Sequence, residues 1–194
     1  MIDLGDCIRV IKIGTCTVDP GNAASPLLIR LKQQLGIGGG STVTLIRDGN
    51  ERLLVDLGYE READLSPAND EANRRALALA LSLAGIRADE ITGVLVTHGH
   101  RDHWGGIERF PRARWYCPRA ALPLLATLYP GRLSPLDEGD AVSAHTVLLH
   151  TPGHTAGHGS LLWRTDAVRI AVAGDAILSL AWLQSGHIWR FNGD

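Results

Sequence analysis

His98, His100, Asp102 and His103 fall within six residues, in the stretch Thr97-His98-Gly99-His100-Arg101-Asp102-His103. Neutral imidazole suits zinc, iron and similar ions, and a carboxylate adds charge and can bridge two of them. Side chains two apart on an extended chain point to the same side, so His98 and His100 can grip one ion. Asp102 and His103 then face a neighbouring position. Downstream, Thr151-Pro152-Gly153-His154 and Ala173-Gly174-Asp175 each place one more ligand-type side chain after an apolar run. With His154 the set becomes three nitrogens and an open position, the pattern of catalytic rather than structural zinc. Asp175 can bridge to a second ion. Two ions about 3.5–4 Å apart would share a water and lower its pKa towards ~7.

Taken alone, His154 or Asp175 reads as an ordinary turn or cap residue; the combination carries the metal reading. Asp56, in Asp56-Leu57-Gly58, either shapes a turn or orients a ligand histidine through its carboxylate, and the second reading is favoured. His158 has two readings: a hydrogen-bond donor behind the ligands or facing a substrate, or simply the first residue of the next strand. His145 and His150 read as structural, Trp104 as packing beneath the cluster, and Arg101 as solvated.

These ligands need strands that end at a common edge. Gly93-Val94-Leu95-Val96 is short, apolar and β-branched, so residues 91–97 read as a buried strand that exits into the cluster. Residues 7–18, 42–47 and 52–56 read as strands, the last two joined by the hairpin signal Asp48-Gly49-Asn50. Helices are expected at 69–84, closed by Gly85, near Trp104, and at 118–128 with Pro118 at its start. Strands are expected at 114–117, 146–150, 159–164 and 168–173, with 133–144 as loop and turn. Residues 36–41 form a glycine-rich loop that lacks the lysine of a phosphate-binding loop and reads as a flexible cover over the site. Strands and helices alternate, with hairpins at both ends, which predicts a layered α/β architecture with mixed sheets.

The 194 residues suit a single domain, 1–194, and the composition (45% hydrophobic, 21% charged, net charge −2) is that of a globular protein. With no Lys/Arg cluster in the sequence, nucleic acid is not favoured as a partner, although a basic patch assembled in three dimensions stays open. Cys7, Cys16 and Cys117 have neither zinc-ribbon nor C-x-x-C spacing and read as buried thiols in a reducing compartment. The N-terminus has no signal-peptide pattern, and the apolar stretch at 76–84 is far short of a membrane span. A cytoplasmic protein with a small-molecule substrate is expected, without a membrane partner; a homodimer is open.

His98-Gly99-His100-Arg101-Asp102-His103-Trp104-Gly105-Gly106, Thr151-Pro152-Gly153-His154 and Gly174-Asp175 resemble the motifs of the metallo-β-lactamase-fold superfamily, with Thr151 to His158 similar to its lactonase-like members. The resemblance implies a four-layer αββα sandwich of two mixed sheets with metals at one edge. It implies that His98, His100 and His154 hold a first metal, that Asp102 and His103 help hold a second, and that Asp175 bridges. It implies zinc, one or two per chain, with iron or manganese open. The activity implied is hydrolysis of an ester, lactone, thioester or amide by metal-bound hydroxide, with Asp102 in a catalytic part. A mononuclear-iron oxidoreductase similar to the sulfur dioxygenases is the alternative, then a metal-binding protein with an incomplete second site; a nuclease is less favoured. The pattern departs from the family at its end. Residues 176–194 contain one histidine, His187, whose setting is unlike the family's closing ligand motif. A shortened C-terminal part is therefore expected, with the second site incomplete or completed by a partner chain.

Overall fold

A computed structural model describes residues 4–14, 41–59, 67–177 and 183–184. One helical turn, α1 (Leu4–Cys7), leads into β1 (Ile8–Lys12), which pairs antiparallel with β2 (Val43–Asp48). The Asp48-Gly49-Asn50 turn returns the chain antiparallel as β3 (Glu51–Val55). Helix α2 (Pro67–Leu83) buries Leu77, Ala80 and Leu81 and ends at Gly85, whose φ of 68° suits a residue without Cβ. Then come β4 (Gly93–Leu95), α3 (Arg101–Trp104), β5 (Arg114–Pro118), α4 (Leu122–Leu128) and β6 (Leu133–Leu136). Strands β3 to β6 are mutually parallel, and the six form one mixed sheet in the order β1-β2-β3-β4-β5-β6. Strands β7 (Ala141–Ser143), β8 (Thr146–His150), β9 (Gly159–Arg164) and β10 (Arg169–Val172) form a second sheet.

Successive residues of the central strands serve two cores. Val43, Leu45, Leu54, Val94, Trp115 and Cys117 pack with Leu77, Leu81, Phe110 and Leu125 on the helix side of the large sheet. Ile46, Leu53, Val55 and Leu95 pack with Leu148, Leu161 and Trp163 between the two sheets. Burial on both faces explains why Leu53-Leu54-Val55 of β3 and Gly93-Val94-Leu95 of β4 are unbroken apolar runs rather than alternating ones.

The layered α/β architecture of two sheets is as expected, with differences in detail. The smaller sheet is antiparallel throughout its described strands, not mixed, because each of its connections is short enough to be a hairpin or turn. The segment expected as loop at 133–144 contains β6 and β7. Strand β6 has Pro135 in its middle and survives because, among the described residues, it is an edge strand paired only with β5. Pro118 ends β5 instead of starting a helix; a 3₁₀ turn at Arg119–Ala121 precedes α4, which has Pro123 at its start. The helix near Trp104 ends there rather than beginning. Of the expected first strand, residues 8–12 are extended and 15–18 lie outside the described residues, as do 36–40 of the glycine-rich loop and His187. Among the described residues no helix is long and apolar enough to cross a membrane.

Candidate metal centre

Asp56 follows β3, His98 follows β4, His154 follows β8 and Asp175 follows β10, so four chain segments deliver polar side chains to one edge of the two sheets. The parallel pairing of β3 with β4 brings Asp56 beside Thr97, while β8 and β9, running antiparallel, bring His158 back beside Thr151. Asp102 and His103 lie on the single turn of α3, and the backbone oxygens of both are gripped from below: Leu57 N donates to His103 O at 3.1 Å and Tyr59 N to Asp102 O at 3.0 Å. The Tyr59 ring lies against Gly105 and Gly106; a Cβ on Gly106 (φ 78°) would come within 2.5 Å of it, so that pair lets the turn sit directly on Tyr59.

One ligand atom from each of His98, His100, His154 and Asp175 lies within 4.8 Å of the others. His98 Nε2 and His154 Nε2 are 2.9 Å and 3.0 Å from His100 Nδ1. Asp175 sits between this group and His103: its Oδ2 is 3.3 Å from His154 Nε2 and its Oδ1 is 3.5 Å from His103 Nε2. Asp102 Oδ2 is 3.4 Å from the same His103 nitrogen. The cluster thus has two lobes, three imidazoles on one side and His103 with Asp102 on the other, and Asp175 offers one oxygen to each.

Burial and neighbouring charge decide protonation here. Burial, reinforced by the imidazoles around it, holds His98 far below the ordinary histidine value and so neutral. Burial also opposes a charge on His103, but the carboxylates of Asp56, Asp102 and Asp175 outweigh it and raise the imidazole well above its usual value. Asp175 would be raised by burial, yet the His103 imidazole beside it and the other surrounding imidazoles keep it low.

Asp56 sits in a turn and also meets a histidine. It is a non-glycine residue at positive φ (59°), a turn conformation that Asp tolerates better than most. Its buried carboxylate also accepts His103 Nδ1–H at 2.8 Å. His158 begins β9's approach, and its direction of bonding follows from a chain. Ser160 Oγ donates to Ala173 O at 3.2 Å, so Thr151 donates to Ser160 and His158 Nδ1 must donate to Thr151 Oγ1, 2.8 Å away. That leaves Nε2 a bare, buried acceptor without a partner rather than a donor. Burial, against the pull of Asp175, lowers His158 to about 4 and keeps it neutral.

Sequence alone singled out no role for Thr97. Its hydroxyl is within 3.2 Å of Asp56 Oδ2, His98 Nδ1 and His103 Nδ1. The available signal was a single polar residue closing the apolar run before the first histidine. Trp104 packs as expected and donates from Nε1 to Gly99 O at 3.0 Å. Arg101 lies 4.0 Å from Asp70 and 6.0 Å from the Tyr59 ring centre. Cys7 and Cys117 are free thiols away from the cluster; burial pushes Cys117 up to about 11.

The residues present fit a divalent metal. Mixed imidazole and carboxylate donors suit zinc and its neighbours, and His103 Nε2 is buried with no hydrogen-bond partner although it faces two carboxylates. An orphaned buried nitrogen is costly unless something occupies it.

The profile of the metallo-beta-lactamase superfamily matches residues 36–187, and the chain belongs to that superfamily. It is 37% identical over 123 residues to the hydroxyacylglutathione hydrolase of Aeromonas hydrophila subsp. hydrophila, an alignment covering 60% of this chain and 40% of that protein. It is 37% identical over 92 residues to the hydroxyacylglutathione hydrolase of Pseudomonas putida (strain F1), covering 46% and 34%. The chain therefore spans about two fifths or less of the length of these curated relatives. Among solved structures, a metallo-beta-lactamase-like protein of Thermotoga maritima superposes with a TM-score of 0.59 at 20% identity, covering 84% of this chain and 75% of that one. The dizinc quorum-quenching lactonase AidC gives 0.54 at 18%, covering 68% and 54%. These likenesses establish the fold.

Proposed function

We propose that this chain is a metal-dependent hydrolase of small molecules that opens a thioester, with lactone, ester and amide as chemically related targets. The observation that carries the reading is the convergence of His98, His100, His154 and Asp175 within 4.8 Å at the sheet edge; kinship with the hydroxyacylglutathione hydrolases puts the thioester first. His98 Nε2, His100 Nδ1 and His154 Nε2 would hold a first zinc ion, and Asp102, His103 and Asp175 part of a second. A bound divalent ion supplies Lewis acidity and brings the pKa of water towards neutrality.

The protein's own groups prepare that chemistry. Neutral His98 keeps a lone pair available without competing with a proton. Asp56 holds the His103 ring from behind, so its Nε2 faces Asp102 and Asp175. Asp102 is the carboxylate we assign a catalytic part, since its Oδ2, 3.4 Å from His103 Nε2, can take up a proton as the substrate is opened. His158 leaves Nε2 as an unpartnered acceptor at the floor of the site, able to take a hydrogen bond from a bound group. The free thiols Cys7 and Cys117 are in keeping with a cytoplasmic setting.

Elemental analysis of the purified protein, paired with turnover of a hydroxyacylglutathione thioester and a lactone, tests the reading. Zinc at about one or two per chain with thioester turnover is the expected result. Iron with oxygen uptake on a persulfide would move the assignment to a dioxygenase. A zinc-loaded protein inert towards thioester, lactone, ester and amide would overturn it.

A further inference from the structure

Thr97 lies beneath both lobes of the cluster and is fully buried. Its backbone N–H donates to Asp56 Oδ1 at 2.9 Å, and its hydroxyl donates to Asp56 Oδ2 at 2.9 Å. With His103 Nδ1 also pointing at Oδ2 from 2.8 Å, three donors converge on Asp56; burial raises its carboxyl, and these donors and the His103 imidazole oppose that and favour the carboxylate. The hydroxyl has one proton, and Asp56 takes it.

Hydrogen-bond arithmetic then decides the histidines. Thr97 Oγ1 is 3.1 Å from His98 Nδ1, and with its proton committed it can only accept. His98 Nδ1 must therefore carry the ring proton, and Nε2, the nitrogen 2.9 Å from His100 Nδ1, is left as a bare lone pair within the cluster. His103 Nδ1 has only acceptors beside it, Asp56 Oδ2 at 2.8 Å and Thr97 Oγ1 at 3.2 Å, so it too donates and turns Nε2 to the other lobe. The segment bearing Asp175 is set against the same side chain: a Cβ on Gly174 (φ 52°) would lie 2.9 Å from Thr97 Oγ1 and 3.0 Å from its Cγ2.

We propose that Thr97 is a positioning residue shared by both lobes, its single hydroxyl fixing with Asp56 which nitrogen His98 and His103 present to a metal. The proposal rests on the reading that the cluster holds metal. A Thr97 that merely packs would leave those nitrogens indifferent to its hydroxyl. Carried through, it makes the two lobes dependent on one hydroxyl, so that its loss weakens both together.

The experiment compares wild type, Thr97→Val, which keeps the shape and loses the hydroxyl, and Thr97→Ser, which keeps the hydroxyl. Nitrogen-detected NMR of the histidine rings in metal-free protein reads the tautomer of His98, and zinc competition against a chromophoric chelator reads affinity. Expected are an Nδ1–H His98 in wild type and Thr97→Ser, loss of that single tautomer in Thr97→Val, and zinc binding about 10–100-fold weaker in Thr97→Val alone. An Nε2–H His98 in metal-free wild type overturns the proposal, as does Thr97→Val with wild-type tautomer and affinity. Should Thr97→Val not fold, the wild-type and Thr97→Ser spectra still decide it. A wild type that binds no zinc would sink the functional reading, whereas the tautomer spectrum would judge Thr97 separately.

Discussion

Two aspartate–histidine pairs sit at opposite ends of the sandwich, and both aspartates come from the same β2–β3 hairpin. Asp56, beyond the end of β3, meets His103 Nδ1 at 2.8 Å, with side chains 3% and 1% exposed. Asp48, at the hairpin turn, meets His145 Nδ1 at 2.6 Å, with side chains 5% and 49% exposed. Asp48 also accepts from Ser143 Oγ at 2.5 Å and from His145 N at 2.8 Å, so it ties the large sheet to the β7–β8 turn of the small one. The chemistry of the two pairs is the same; burial and what lies beyond the ring separate them. The far side of the His145 ring reaches solvent, and the pair is complete as a tie. The far nitrogen of His103 is buried, unpartnered and faced by two more carboxylates, so that pair, unlike the other, leaves a polar atom unsatisfied.

The comparison breaks most sharply if the cluster end does not depend on metal. His100→Ala removes the nitrogen that stands 2.9 Å and 3.0 Å from His98 and His154. Zinc affinity should fall by more than about 100-fold, beyond the loss from any outer partner, while the far-ultraviolet circular dichroism stays that of wild type. Unfolding of the variant would show that the cluster is a structural site instead.

Asp56→Asn is the next test. Asn tolerates the positive φ at this position, so the turn should survive, while one acceptor oxygen becomes a donor amide facing Thr97 or His103. Zinc binding should weaken by about 10–100-fold, read by chelator competition. Unchanged affinity would reduce Asp56 to the structural tie that Asp48 is.

Asp48→Asn at the opposite end should leave zinc binding unaltered and cost about 1–2 kcal/mol of stability, the scale of a buried hydrogen-bonded group losing a charged partner. Its effect should also depend on pH. Burial would raise the Asp48 carboxyl, but hydrogen bonds from Ser143 and His145 outweigh it and hold the folded value below the ordinary one. The stabilisation is then present above the unfolded carboxyl value of about 3.9 and is lost as pH falls through the lower folded value. Denaturant midpoints of wild type and variant should differ at pH 6 and converge below about pH 4. A gap that persists at low pH would mean the carboxylate's charge is not what the tie uses.

Much of the site end was legible because its residues are rare in combination. Three histidines and an aspartate in six residues, followed by His154 and Asp175 after apolar runs, announce a candidate ligand set from residue type alone, and β4, which leads into the first of them, buries both faces and so reads as a plain apolar run. The tie at the far end was not legible. Asp48 was visible only as part of a hairpin signal, and His145 only as a structural histidine, since nothing local relates residues 97 positions apart. Strands β6 and β7 were missed for a similar reason: four residues with a central proline, and three residues between turns, carry no period of their own and become extended only through β5 and β8.

By itself the sequence determined the chemical inventory: which donors exist, that apolar strands precede them, and that a hairpin at Asp48-Gly49-Asn50 turns the chain between the two aspartates. The tertiary structure alone decided their use. A hydrogen bond's direction depends on which acceptors surround a proton in space, so Thr97's hydroxyl, the nitrogen each imidazole presents, and the contrast between Asp56 and Asp48 follow from the packing of strands distant along the chain.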